Sequence, residues 1–346
     1  MNRPGRKRLS YALSIAAGLV LLGVVLYYVG WRSILAQVHA LGAVGIIAVI
    51  GNVVLTAVTW IVSWWIILIS YGIKLPFRRI VGARLSGFAV SYVTPTLYFG
   101  GEPVRALMVA GQTSAPTTRI FATVVLDRFL GALSLIAFIF IGVFYALVSP
   151  QVPMAERRAV VIGVAFIAFW IIIGLINFAG NYKWISRLIR LLKHPFHRWR
   201  NGIERAANHV SETEDEIYEA FTRHWKGTLL AFLVQLLSNF LVYMRPQVFF
   251  HFSSHRTFDF TQLSLLFTLN IMLSFFLWIT PGGLGTGEAG LIGIFKLVGV
   301  RKEGAVAFSL MFKIVEFIIV GIGLAYLFNK GISRLAHRFK ERTHRH

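Results

Sequence analysis

Seven ionisable residues, Glu102, Arg105, Asp127, Arg128, Glu288, Lys313 and Glu316, fall in or beside long apolar segments of the chain. A charge in such surroundings is costly, and it is kept where it lines a pathway or answers another charge. Arg105 and Arg128 carry the planar donor fork that meets a phosphate through charge-assisted hydrogen bonds, and Lys313 offers a point charge to the same group. Glu102 and Glu288 have the chemistry to take a proton or a coupling cation, or to repel an anionic lipid until neutralised. A structural reading competes with this one. Glu102 and Arg105, like Lys313 and Glu316, are three apart on helical segments, a spacing at which they neutralise each other. Beside the two glutamates lie Gly/Pro breaks: Pro95, Gly100 and Gly101 before Glu102, and Pro281, Gly282, Gly283, Gly285 and Gly287 before Glu288. Each break exposes backbone amides, which add helix N-terminal donors for an anion.

Other chemistry is poorly supported. No Lys-Ser/Thr follows the second glycine cluster, so it reads as a tight membrane turn rather than a nucleotide loop. His251 and His255 have metal-compatible spacing but no third ligand, and the chain has no cysteine, so neither a metal nor a cofactor is expected.

The elements that must position these residues are membrane helices. The chain has 346 residues, of which 56% are hydrophobic and 14% charged, with a mean hydropathy of +0.68. That is too apolar for ordinary soluble domains. Runs of spanning length occur at Ser10 to Val29, Gly42 to Ser70, Phe121 to Val148, Ala159 to Ala179, Thr228 to Phe250 and Ala305 to Phe328. Two further apolar stretches, 81–111 and 263–300, are broken by Gly and Pro and read as re-entrant helical hairpins. The expected fold is an all-α polytopic membrane protein with about six full spans and two such hairpins.

Charge placement orients it. The net charge of +21 would suggest nucleic acid in a soluble protein. Threaded through six spans, however, twenty-four Lys and Arg fall on one side and six on the other. The positive-inside rule then puts both termini in the cytoplasm, and the surplus becomes a topology signal with attraction to anionic lipid, not a nucleic-acid surface. The one long polar connection, 180–226, starts with Trp184, Leu188, Leu191 and Leu192 on one helical face and Lys183, Arg187, Arg190 and Lys193 elsewhere, the pattern of a helix lying on the membrane. It then turns acidic from Glu212 to Glu219. A basic tail follows at 329–346.

The chain also repeats itself. TPTLYFGGEPVRALMVAG from Thr94 and TPGGLGTGEAGLIGIF from Thr280 share Thr-Pro, a Gly pair and a Glu; Glu102 and Glu288 are 186 apart, and Arg128 and Lys313 are 185 apart. This divides the chain into 1–158 and 159–328. Three full spans separate the hairpins, so the first enters from the cytoplasm and the second from outside. Inverted repeats with broken helices are the architecture of alternating-access carriers.

The paired GGE and PGGLGTGE elements, each followed by a span with an early basic residue (Asp127-Arg128 and Lys313), resemble the lysylphosphatidylglycerol synthase/flippase transmembrane family over nearly the whole chain. The resemblance implies a multi-pass protein of a bacterial or archaeal cytoplasmic membrane that handles lipids. The large soluble aminoacyl-transfer domain of the family's synthases has no counterpart inside this chain, so aminoacyl transfer is not implied. The expected function is a flippase for an anionic lipid or lipid-linked phosphate, with membrane lipids as partners. The alternatives are a lipid or polyprenol-phosphate transferase using Glu102 and Glu288 as acid and base, and a lipid-binding scaffold for a partner lipid-modifying enzyme.

Overall fold

A computed structural model of the chain describes residues 20, 23–24, 26–28, 30–94, 100–148, 154–193, 200–277 and 280–343. Among them every regular element is helical and no strand occurs. The helices among these residues are α1 (Trp31–Ala40), α2 (Gly42–Ser70), α3 (Phe77–Val93), α4 (Glu102–Ala110), α5 (Thr117–Val148), α6 (Met154–Ala179), α7 (Trp184–Leu191), α8 (Arg200–Thr222), α9 (Trp225–Tyr243), α10 (Arg245–Ser254), α11 (Phe260–Leu277), α12 (Thr286–Leu297) and α13 (Lys302–Thr343), with a 3-10 turn at Pro281–Gly283.

Among the described residues, five stretches are long and apolar enough to cross a membrane: Gly42–Ser70, Thr117–Phe140, Val161–Ala179, Trp225–Ser254 and Lys302–Asn329. They coincide with five of the six expected crossings. The sixth, 10–29, lies largely outside the described residues, as does Pro95. The chain is a multi-pass, all-helical membrane protein. Two boundaries differ from the sequence reading for physical reasons. The last helix runs well past Phe328, because a helix that satisfies its own backbone need not stop where its apolar stretch does. The Thr228-to-Phe250 run is interrupted at Met244, where Pro246 near the start of α10 has no amide to continue the ladder of α9.

The two stretches expected as hairpins share one pattern, a helix of middling length, a break, and a short helix. The short members, α4 with 9 residues and α12 with 12, reach about 14 and 18 Å at 1.5 Å per residue, less than the ~30 Å of a bilayer core.

Packing groups the chain into two compact units. One draws on Met1–Val54, Pro76–Arg105 and Met244–His346, the other on Leu55–Leu75 and Ala106–Tyr243. In the first, α13 packs along α3, and also against α12 and α1. Small residues permit the closest approach: Gly82 lies under the Tyr326 ring, Gly323 meets the Leu85 carbonyl, and Ser86 Oγ donates to the Gly323 carbonyl at 3.0 Å. Ala89, Tyr92 and Val320 are buried at this seam.

In the second unit α8 packs against α5, α6, α7 and α9. Trp64, fully buried on α2, donates its indole N–H to Thr123 Oγ1 on α5 at 3.2 Å. Beyond the end of α2, Tyr71 donates to the Glu216 carbonyl at 2.5 Å, and Glu216 takes both oxygens to Arg119 Nε at 3.0 Å. Burial, with Glu216 and Glu219 nearby, pushes the Tyr71 phenol far above its ordinary range, so it remains a donor at any physiological pH.

Candidate functional site

The second Gly-rich break is built by its glycines. Gly282, Gly283 and Gly285 all take positive φ (63°, 59° and 78°), the left-handed region in which only glycine sits without strain. Thr280 Oγ1 donates to the Leu284 carbonyl at 2.8 Å and closes the turn. Helix α12 then begins with Glu288 in its first turn, and the Glu288 carboxylate reaches back to accept the Gly285 amide at 2.7 Å. An acid at this place caps orphan amides and complements the positive end of the helix.

Glu288 is 0% exposed, and its other oxygen accepts Lys313 Nζ at 2.6 Å and Ser309 Oγ at 3.0 Å, both from α13. Lys313 Nζ also donates to the Gly283 carbonyl at 2.8 Å. A Cβ on Gly287 would stand 3.2 Å from that ammonium, so the small residue makes room for it.

One turn further along α13, Glu316 makes a second, crossed pair. Arg245 Nη1 from α10 donates to it at 2.9 Å, and Tyr92 from the end of α3 donates its hydroxyl at 3.4 Å. Arg245 Nε donates to Asn52 Oδ1 at 3.3 Å, and its guanidinium carbon stands 5.0 Å from the centre of the Phe312 ring. The spacing of three between Lys313 and Glu316 suggested mutual neutralisation, and this the structure corrects. Each turns to a partner on another element, because at their positions on α13 the first turn of α12 and the start of α10 supply the opposite charges.

The first break packs on the same end of α3. The Gly101 amide donates to Ser91 Oγ at 2.9 Å, and Gly101 lies so close to the Gly87 carbonyl that a Cβ there would stand 1.7 Å from the oxygen. Tyr92, the next residue, presses its ring against Gly282 of the second break. Consecutive residues of α3 thus touch both breaks. Arg105 is 2% exposed, with its Cβ and Cδ against Gly87, whereas Glu102 is partly exposed at the first position of α4.

Asp127 and Arg128 belong to the second compact unit. Asp127, 1% exposed on α5, accepts Gln235 Nε2 at 3.0 Å and Ser63 Oγ at 3.2 Å, and Gln235 also donates to Ser63 Oγ at 3.1 Å. Arg128 is partly exposed.

Sequence reasoning overlooked Asn52, Ser63, Tyr92, Gln235 and Ser309. The available signal was polar residues inside apolar spans, above all Ser309 four residues before Lys313, one helical turn away.

Residues 11–323 match the family model described as the lysylphosphatidylglycerol synthase TM region. The chain belongs to this family. Its similarity extends to UPF0104 membrane proteins of archaea. One, from Pyrococcus horikoshii, is 23% identical over 320 residues, covering 88% of this chain and 92% of the relative. Two from Methanothermobacter thermautotrophicus are each 24% identical, covering 91% and 93% of this chain and 94% of each relative. No solved structure matches it. Membership in the lysylphosphatidylglycerol synthase TM family ties this multi-pass protein to lipid-related membrane function.

Proposed function

We propose that the protein is a carrier that moves an anionic lipid or lipid-linked phosphate across a prokaryotic cytoplasmic membrane by alternating access. The observation that carries the reading is the pair of crossed ion pairs on α13, set against a Gly-rich break. Lys313 and Arg245 are held in place by carboxylates, so each cation has an anionic partner both before a phosphate arrives and once the phosphate has bound. The two pairs differ in access. Arg245 and Glu316 side chains are 14% and 16% exposed, against 10% and 0% for Lys313 and Glu288. Arg245 therefore receives the headgroup first. Its hydrogen bonds to Asn52 and Glu316 occupy two of the five guanidinium N–H donors, leaving others for a phosphate. Lys313 and Glu288 act as the inner pair, which opens only when the break moves. Glu102, Arg105, Asp127 and Arg128 are the corresponding charges of the first repeat in this reading.

Contacts between connections support the expected topology. Arg119 and Tyr71 meet Glu216, all assigned to the cytoplasmic side. Lys302 donates to the Tyr28 carbonyl at 3.1 Å, and Arg256 donates to the Gly299 carbonyl at 2.8 Å, all assigned to the outside. The short α4 and α12, and the meeting of both breaks at Ser91 and Tyr92, support paired hairpins related by an inverted repeat.

Single cysteines in this cysteine-free chain test the sides. Impermeant reagent should label Ser254→Cys in sealed right-side-out vesicles and label His209→Cys only after permeabilisation; the reverse pattern contradicts the topology. Proteoliposomes with fluorescent anionic and zwitterionic lipids test the activity. Transbilayer movement of anionic lipid without covalent change is expected. A modified lipid product in place of movement would favour a transferase, and neither in the wild-type protein would remove the carrier reading.

A further inference from the structure

The connection between the spans Val161–Ala179 and Trp225–Ser254 contains a surface that the carrier reading does not use. Helix α7 begins immediately after the first of these spans. Asn181 and Lys183 take positive φ (50° and 57°), and the Trp184 amide donates to the side-chain oxygen of Asn177, in the last turn of α6, at 2.8 Å. The start of α7 is thereby fixed within about one helical turn, 5.4 Å along the axis, of the end of a membrane span.

Its orientation is fixed by Glu214 of α8. That carboxylate, 3% exposed, accepts Asn177 Nδ2 at 3.1 Å and the first-turn amides of Ile185 and Ser186 at 3.2 and 3.3 Å. A buried acid on the amides of a helix N-terminus is favourable in charge and in hydrogen bonding. The rest of the polar side is also taken. Ser186 is buried, Lys183 Nζ meets Asp215 at 2.7 Å, and Arg190 and Lys193 meet Glu204. The opposite face carries Ile185, Leu188, Leu191 and Leu192, which are 45–64% exposed, with Tyr182 stacked on Trp184 before them and Arg187 exposed at its edge.

We infer that this face of α7 is seated in the lipid interface, with its apolar residues at the boundary of headgroups and acyl chains, and that Glu214 is the latch that aims it there. The anchorage to a span end supplies the depth, the apolar residues with Tyr182 and Trp184 supply the affinity, and Arg187 at the edge meets lipid phosphate. The exposed Trp225 at the start of α9 marks the same interface at the other end of the connection. Because α8 packs on α5, α6, α7 and α9, seating α7 in the interface holds that group of helices at one depth. The inference stands independently of whether the protein moves lipid.

The test uses the full chain in nanodiscs with an environment-sensitive fluorophore on Leu188→Cys or, as a reference, on His209→Cys, whose native side chain is 72% exposed on α8. The label at 188 should emit to the blue of that at 209 and be quenched by nitroxide-bearing lipid but not by aqueous iodide. Adding Glu214→Gln, which cannot carry the charge, should raise label mobility and iodide quenching at 188 while leaving 209 unchanged. Iodide quenching at 188 in the otherwise native chain would overturn the inference. Protection from both quenchers would overturn it too, because it would mean a protein covers the face.

Discussion

Replacing Lys313 with alanine is expected to destabilise the folded protein by about 3–5 kcal/mol, the range for removing one partner of a buried ion pair. Glu288 would lose its countercharge at 0% exposure and keep only Ser309 and the Gly285 amide as partners. The Gly283 carbonyl would also lose its donor. Removing both charges is a different experiment. In Lys313→Gln with Glu288→Gln no bare charge is left, and the glutamine at 288 can still accept the Gly285 amide, so most of the lost stability should return. Thermal unfolding in detergent reads both variants. Equal losses in the single and the double variant would place the energy in packing rather than in charge.

Gly101→Ala is expected to cost about 3 kcal/mol, the upper part of the usual overpacking range. The new methyl would stand 1.7 Å from the Gly87 carbonyl oxygen and 2.7 Å from Ser91 Oγ. The first obstacle is backbone and cannot rotate aside, so the break must move off α3 and the Gly101-to-Ser91 hydrogen bond goes with it. Gly51→Ala is the matched control, because a Cβ there meets nothing within 4 Å and alanine favours a helix over glycine by about 1 kcal/mol. The folded yield of Gly101→Ala should fall and that of Gly51→Ala should not. Equal yields would mean that α3 and the first break are not held in contact.

The spans were legible because length and apolarity are local properties: the run from Gly42 to Ser70 is one helix with those same ends. The site was legible as residue types but not as partners. Glu288 and Lys313 stood out as charges in apolar sequence, yet their pairing joins residues 25 apart through the fold of the break, and no local spacing encodes it. The local rule pointed instead to Lys313 with Glu316, where α10 and α3 supply the competing partners Arg245 and Tyr92. Tyr92 and Asn52 carried no signal beyond being polar in helices, because hydroxyls and amides are common there. The stop at Met244 could be read from Pro246, whereas the capping of α7 by Glu214 depends on a helix pair that the sequence brings together only on folding.

The central claim, that the crossed pairs on α13 hold an anionic headgroup in transit, is tested most directly by transport in variants that keep the fold. Lys313→Gln with Glu288→Gln, and Arg245→Gln with Glu316→Gln, each remove a pair without leaving a lone buried charge. Each should be measured for transbilayer movement of anionic lipid in proteoliposomes, alongside its unfolding temperature. Both should stay folded and both should lose at least about tenfold in rate, the equivalent of roughly 1.4 kcal/mol of lost headgroup stabilisation. Wild-type rates in both would contradict it, because no basic side chain would remain at the altered pair to meet the phosphate.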